Sequence, residues 1–171
     1  MEESIQFINT TNNTKEKTIK IGERCRGVTA VKDKMVIGGI GKVFILNTDG
    51  SRVIEIRIDG NNYNLLYNER NGQLLLRQNG RLCCMNLDGH VIYRYKISGG
   101  IGLAVDRQGH VYISGRDSSD IQRLSPDGAF RDIVLSKNDG VDRPHAIAFN
   151  NDFSKLFIID RDETVLVYSC K

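Results

Sequence analysis

The stretch IGGIGKVFIL, residues 37–46, places three glycines and a lysine directly behind an apolar run. That arrangement raises the chemistry of a phosphate cradle. A phosphate loop requires G-x-x-x-x-G-K-[ST]. With Gly41 and Lys42 as the GK pair, Val36 stands where the first glycine belongs and Val43 where the metal-binding hydroxyl belongs. The dinucleotide fingerprint G-x-G-x-x-G fails as well, because Phe44 occupies the third glycine position. No amphipathic helix follows, so no helix N-terminus is available to an anion. The stretch reads as a tight turn between two strands.

Thiol and imidazole chemistry is equally sparse. The cysteines are Cys25, Cys83, Cys84 and Cys170, with no C-x-x-C pair, and the three histidines do not supply zinc-ligand spacing. Cys83 and Cys84 are neighbours in a strand-like run and point to opposite faces, which makes a bridge between them strained. Reduced thiols and a cytoplasmic setting are expected. His90 and His110 each follow a turn glycine and read as exposed hairpin exits. No G-x-S-x-G elbow is present.

Composition narrows the classes. With 171 residues, 40% hydrophobic and 26% charged, the chain is long enough for one domain with a core and is not disordered. Its net charge of +3 does not by itself argue for nucleic acid. No apolar run reaches membrane-spanning length, so no membrane partner is expected. The N-terminus, MEESIQFINTTNN, is acidic and then polar, without a secretory signal. Its two sequons, at Asn9 and Asn12, are read as chance.

The elements that must position any site come from a repeat. Asp-Gly recurs at Asp49-Gly50, Asp88-Gly89 and Asp127-Gly128, an interval of 39 residues. Each pair joins two apolar runs, which is a hairpin signal because glycine supplies the positive φ. Upstream lie two further matching sets of runs: GVTAV, YNLLY, GLAVD and AIAFN, then KMVIG, QLLLR, HVYIS and KLFII. Each repeat therefore reads as four strands, a to d. Strands a and b are near-continuous apolar runs, expected to be covered on both faces. SIQFIN and KTIKIG, joined by the polar loop TTNNTKEK, read as strands c and d of an earlier repeat.

Units of about 40 residues with four strands are the signature of propeller blades. The expected fold is all-β, a β-propeller of four-stranded antiparallel blades, with about four blades. It is either a four-bladed ring or an open fragment of a six-bladed one. Residues 1–171 are expected to form one propeller domain: a partial blade over 1–22, blades over about 23–60, 61–97 and 98–136, and a last blade over 137–171 without its own outer strand. An open arc would leave apolar faces bare and favour self-association.

Residues 102–128, GLAVDRQGHVYISGRDSSDIQRLSPDG, resemble an NHL repeat. Residues 143–169 match as well: Pro144 opens the repeat, Asp160 stands at the strand-b aspartate, and His145 replaces the usual small residue. More narrowly, the chain resembles the C-terminal propeller of tripartite-motif (TRIM-NHL type) proteins, as in divergent invertebrate members. That resemblance implies a target-recognition module of a RING-type ubiquitin ligase, binding protein or single-stranded RNA. The family propeller has six blades, and this sequence carries no RING or B-box residues, so any ligase chemistry would belong to a parent protein.

Propellers bind partners on the face made by the d-to-a and b-to-c connections, here placed at 22–27, 59–63, 98–102 and 137–145, and at 38–41, 78–80, 115–120 and 161–163. These connections and the strand ends beside them supply the candidate partner-binding residues Arg24, Arg26, Arg77, Arg116, Arg143, His145 and Arg161. Arginines so grouped suit phosphates or acidic peptides. Asp142 or Asp160 would be the natural partner of His145. A propeller hydrolase or lyase with a central metal, or a structural assembly role, are the alternatives. The metal reading is poorly served, because the strand-b ends offer Gly38, Arg77, Ser114 and Asp160, a single carboxylate. No catalytic residue, metal or cofactor is assigned.

Overall fold

The structure is a computed structural model that describes residues 3–99, 102–161 and 164–170. It divides into two compact units, Met1–Leu65 and Leu66–Lys171. Among the described residues all regular structure is antiparallel β-sheet apart from one short 3₁₀ turn at Lys137–Asp139. Among the described residues no helix is long and apolar enough to cross a membrane.

In the first unit, β1 (Ser4–Asn9) and β2 (Thr14–Lys20) form a hairpin. The expected polar loop after β1 is shorter than its sequence suggests. The side chains of Asn9 and Asn12 accept backbone N–H bonds from Thr11 and Thr14, so the chain turns early and the charged residues 15–17 are already strand. A four-stranded sheet follows: β3 (Gly27–Val31), β4 (Lys34–Gly38), β5 (Ile40–Asn47) and the first part of β6 (Arg52–Asn68). Ile19, Ile21, Met35, Ile37, Phe44 and Leu46 make this unit's core.

β6 is a correction to the expected break at 59–63, because it runs unbroken through that segment. The reason is local pairing. Ile40 remains opposite Asn61, and the Asn62 N–H donates to the Gly39 carbonyl at 3.2 Å. These bonds tie the segment to the neighbouring hairpin where a loop was expected, although the pairing shifts register there and Gly60 has φ 86°.

In the second unit the end of β6 leads into β7 (Gln73–Gln78), β8 (Arg81–Met85) and β9 (Val91–Lys96). A second sheet contains β10 (Leu103–Val105), β11 (Val111–Gly115), β12 (Asp120–Leu124) and β13 (Phe130–Leu135). A third contains, among the described residues, β14 (Ala146–Phe149), β15 (Lys155–Ile159) and β16 (Val165–Ser169). Among the described residues this unit has one core cluster around Leu75, Leu82, Cys84, Val111, Ile113 and Leu124 and another around Ile121, Val141, Ile147, Leu156 and Ile158.

The three Asp-Gly corners have one geometry. Each glycine N–H donates to the carbonyl three residues back: Gly50 to Asn47, Gly89 to Asn86 and Gly128 to Ser125, at 2.8–3.2 Å. Their φ values are 94°, 89° and 88°, which only glycine adopts without strain. Burial corrects one further expectation. The covered strands are b and c of the first three repeats, β4, β5, β7, β8, β11 and β12, whereas β3, β14, β15 and β16 alternate between exposed and more covered residues. Successive side chains of a strand point to opposite faces, so in β3 and β14 one face is covered and the other open.

Candidate functional site

In the first unit the glycine-rich stretch is β4, a one-residue connection and β5. A Cβ on Gly38 would lie 2.5 Å from the Asn62 carbonyl oxygen, so glycine is required by close approach of two backbones. Gly41 instead meets nothing within 4 Å but has φ 71° at a bulge in β5. The buried Asn62 amide donates to the carbonyls of Gly39 and Lys42, both at 3.1 Å. Lys42 turns to Glu23, with Nζ 2.7 Å from its carboxylate and 4.0 Å from Glu55. Arg52 holds Glu55 at 2.8 Å and lies 4.2 Å over the Phe44 ring. The cations here are spent on carboxylates and an aromatic face.

Arg24 is exposed and Arg26 half-buried. The Arg26 N–H donates to the Gly38 carbonyl at 2.7 Å, and its guanidinium sits 5.3 Å from the Tyr63 ring centroid. Its Nε is buried without an acceptor among the described residues.

The other five candidates lie in the second unit. Arg77 is within β7, opposite Leu82, rather than on a connection. The remaining four occupy segments that meet one another. The Asp117 N–H donates to the Ser98 carbonyl at 3.2 Å, which joins the 98–99 segment to the connection carrying Arg116. Ser119 Oγ donates to Asp142 at 3.1 Å and accepts the Arg143 N–H at 3.1 Å. The Arg161 N–H donates to the Asp142 carbonyl at 3.0 Å, and the His145 N–H to the Ile159 carbonyl at 2.7 Å. Arg143 has φ 47°, a left-handed conformation that a side chain resists. A cavity of about 470 Å³ is lined by His145, Ile159, Asp160 and Arg161.

The backbone of this cluster is therefore fixed while its guanidinium groups face solvent. The Arg161 side chain is 58% exposed and reaches Asp142 only at 3.9 Å. Arg116 and Arg143 are exposed. Asp120 does not neutralise them, because Ser118 and Gln122 donate to its carboxylate at 2.8–3.2 Å. The Asp142 carboxylate accepts from Ser119, and the Asp160 carboxylate accepts the Thr164 N–H at 3.3 Å. Glu163, at the edge of this segment, lies outside the described residues.

One constellation escaped the sequence reading. His110 is not an exposed hairpin exit. Its Nδ1 lies 2.9 Å from Asp106 Oδ2, and the Tyr112 hydroxyl donates to the same oxygen at 3.2 Å. Burial, aided by Asp106, raises the Tyr112 phenol, with Arg123 opposing. Arg123 is itself held by Asp132 through Nε at 2.9 Å and Nη2 at 2.5 Å, bonds that raise its own ionisation. Asp106, His110, Tyr112 and Arg123 line a cavity of about 660 Å³. Phe149 sits edge-on to Tyr112, and Arg107 lies over Phe153 at 5.5 Å. The spacing Asp106-x-x-x-His110-x-Tyr112 was the available signal, hidden because a turn brings its first two members together.

The Asp106–His110 pair is the kind that orients a general base. Cys170, on the same cavity, has its thiol pushed up by burial, opposite to the activation a thiolate nucleophile needs. Among the described residues no group of three or more His, Cys, Asp or Glu is placed to hold a metal ion.

No protein-family model matches the sequence. No curated protein matches it in sequence either. Solved structures do match. The β-propeller domain of Myceliophteria thermophila Cps50 (Swd1) has a TM-score of 0.79 at 11% identity, covering 100% of this chain and 64% of that one. Kuenenia stuttgartiensis hydrazine synthase has 0.77 at 14%, covering 98% and 65%. Staphylococcus aureus virginiamycin B lyase has 0.69 at 14%, covering 98% and 63%. The fold is thus all-β and of the β-propeller class. The chain spans less than two thirds of each of these three chains.

Proposed function

We propose that the chain is a non-catalytic binding propeller of the NHL-repeat kind, serving as the target-recognition module of a TRIM-NHL-like ubiquitin-ligase protein. Its partner is an anionic one, an acidic protein segment or single-stranded RNA. The observation that carries this reading is the cluster of Arg116, Arg143 and Arg161. Hydrogen bonds from Arg143 to Ser119 and from Arg161 to Asp142 hold the backbone, and the guanidinium groups remain exposed. A non-glycine residue held in a left-handed conformation at such a place is a mark of functional loops. The parent's ligase activity would reside outside these residues.

The test is fluorescence anisotropy with a labelled oligouridine and a labelled polyglutamate peptide at increasing salt. Binding to RNA should weaken with a log–log slope of about −0.7 per phosphate neutralised. Replacing Arg116, Arg143 and Arg161 together by alanine should abolish that slope. Unchanged affinity in the triple variant would sink the proposal.

A further inference from the structure

We infer that the 660 Å³ cavity of the second unit is a binding site for a small aromatic acid that carries a hydroxyl. The ring system sits among Phe149, Phe153 and Leu156, the carboxylate meets Arg107, and the hydroxyl donates to His110. The site shares no residue with the arginine cluster and does not depend on the role given to that cluster.

The acceptor is built by the turn before β11. One Asp106 carboxylate oxygen accepts the Gln108 and His110 backbone N–H groups at 2.8 and 2.9 Å. The other lies 2.9 Å from His110 Nδ1 and accepts the Tyr112 hydroxyl at 3.2 Å. Four donors on two oxygens commit the carboxylate to the protein itself. An ionised carboxylate only accepts, so Nδ1 carries the proton and the lone pair of the neutral ring is on Nε2. The ring is thereby oriented, and what it offers a ligand is one acceptor.

The charges decide the other end of the ligand. Besides His110, the ionisable side chains of opposite sign on the cavity are Asp106 against Arg107 and Arg123. Arg123 is taken up by Asp132 through Nε and Nη2, and Asp106 by its four donors. Arg107 is exposed, with its guanidinium over the Phe153 ring at 5.5 Å. Among the described lining residues a ligand cation would meet no uncommitted carboxylate, whereas an anion meets a guanidinium. The remaining wall is apolar and aromatic. Phe149 stands edge-on to Tyr112 at 4.9 Å and 5.7 Å from Phe153, and Leu135 and Leu156 lie on the same cavity. Rings so placed offer edges and faces to a further flat ring. The volume falls in the ordinary range of small-molecule sites, about 300–1,000 Å³, which suits a fused two-ring acid.

The probe is 6-hydroxy-2-naphthoate, titrated into the full chain. Its fluorescence is read directly, since the chain has no tryptophan, and the site is mapped by NMR. Saturable one-to-one binding is expected, with chemical-shift changes at His110, Tyr112, Phe149 and Phe153. The 6-methoxy analogue cannot donate to Nε2, and 2-naphthol lacks the carboxylate; each should bind about tenfold more weakly, the loss of one hydrogen-bonded contact. Arg107→Gln should bring the hydroxynaphthoate down to the level of 2-naphthol and leave 2-naphthol unchanged. The three-ligand comparison is made on the unaltered chain and stands whether or not the variant folds. No saturation at millimolar probe, or equal affinity for all three ligands, overturns the inference. So do shift changes confined to Leu66, Ala104 and Ile147, which line a different cavity.

Discussion

Lys42 and Arg52 in the first unit and Arg143 and Arg161 in the second are all cations beside carboxylates in sequence or space, yet they end in different states. Glu23 and Glu55 reach Lys42 and Arg52 at 2.7 and 2.8 Å. Asp142 uses one oxygen on Ser119 and stands 3.9 Å from Arg161 with the other. The first arrangement contributes to holding a bulged strand in place. The second leaves charge directed at solvent. The difference teaches that a count of arginines on loops does not say which are available to a partner, since that depends on where the acids spend their oxygens.

The sharpest way to break this comparison is at the first region's backbone. Gly38→Ala should destabilise the chain by about 2–3 kcal/mol in urea unfolding, because the added methyl meets a backbone oxygen that cannot yield. Gly41→Ala has open space around it and should cost only about 1 kcal/mol, from its positive φ alone. Equal costs would refute the assignment of different roles to these glycines. Next in size is binding. Arg143→Ala or Arg161→Ala should each weaken oligouridine binding by about fivefold to tenfold, the effect of one charge-assisted contact, while Lys42→Ala leaves it unchanged.

Arg143→Gly separates stability from binding. It should stabilise the fold by up to about 1 kcal/mol, because glycine relieves the left-handed strain, and still lose affinity. A separate effect, seen only in alkali, concerns buried thiols. Burial pushes Cys84 up to about 12 from its ordinary 9.0. The unfolded thiol ionises first as pH rises, so the unfolded state binds fewer protons between those values and stability falls across pH 9–12. Cys84→Ala should flatten that decline in pH-dependent melts. In thiol-labelling experiments below pH 9, Cys25 and Cys170 should react in the native protein, and Cys83 and Cys84 only on unfolding.

The legible part of the molecule is the part that repeats. Asp-Gly pairs at fixed spacing and paired apolar runs identify the strands because turn φ and burial act on a few neighbouring residues. β6 was not legible. Asn61 and Asn62 read as loop, and only the pairing of Asn61 with Ile40 of β5 and the Asn62 bond to Gly39, in the connection before β5, join them to the sheet. The same holds for the site. Arg143 and Arg161 could be placed on connections from the repeat, but the Asp142–Ser119 bond that fixes them spans 23 residues. Asp106, His110 and Tyr112 were hidden for a different reason. A histidine after a turn glycine looks solvated until the strand beyond it is seen to fold against Phe149 and Tyr168.

The hairpin corners carry a consequence for acid. Asp49 and Asp127 receive hydrogen bonds from the hydroxyls and amides of their own turns, chiefly from Ser51 and Ser125, and both carboxyls sit below their ordinary 3.8. Asp152 does the same through Ser154 in the turn before β15. Each corner behaves as a latch that stays shut above the usual carboxylate range and releases only as pH falls through its lowered value. Because these bonds are local to their turns, what each of the three contributes is present above the usual carboxylate range and fades as pH falls through its own lowered value.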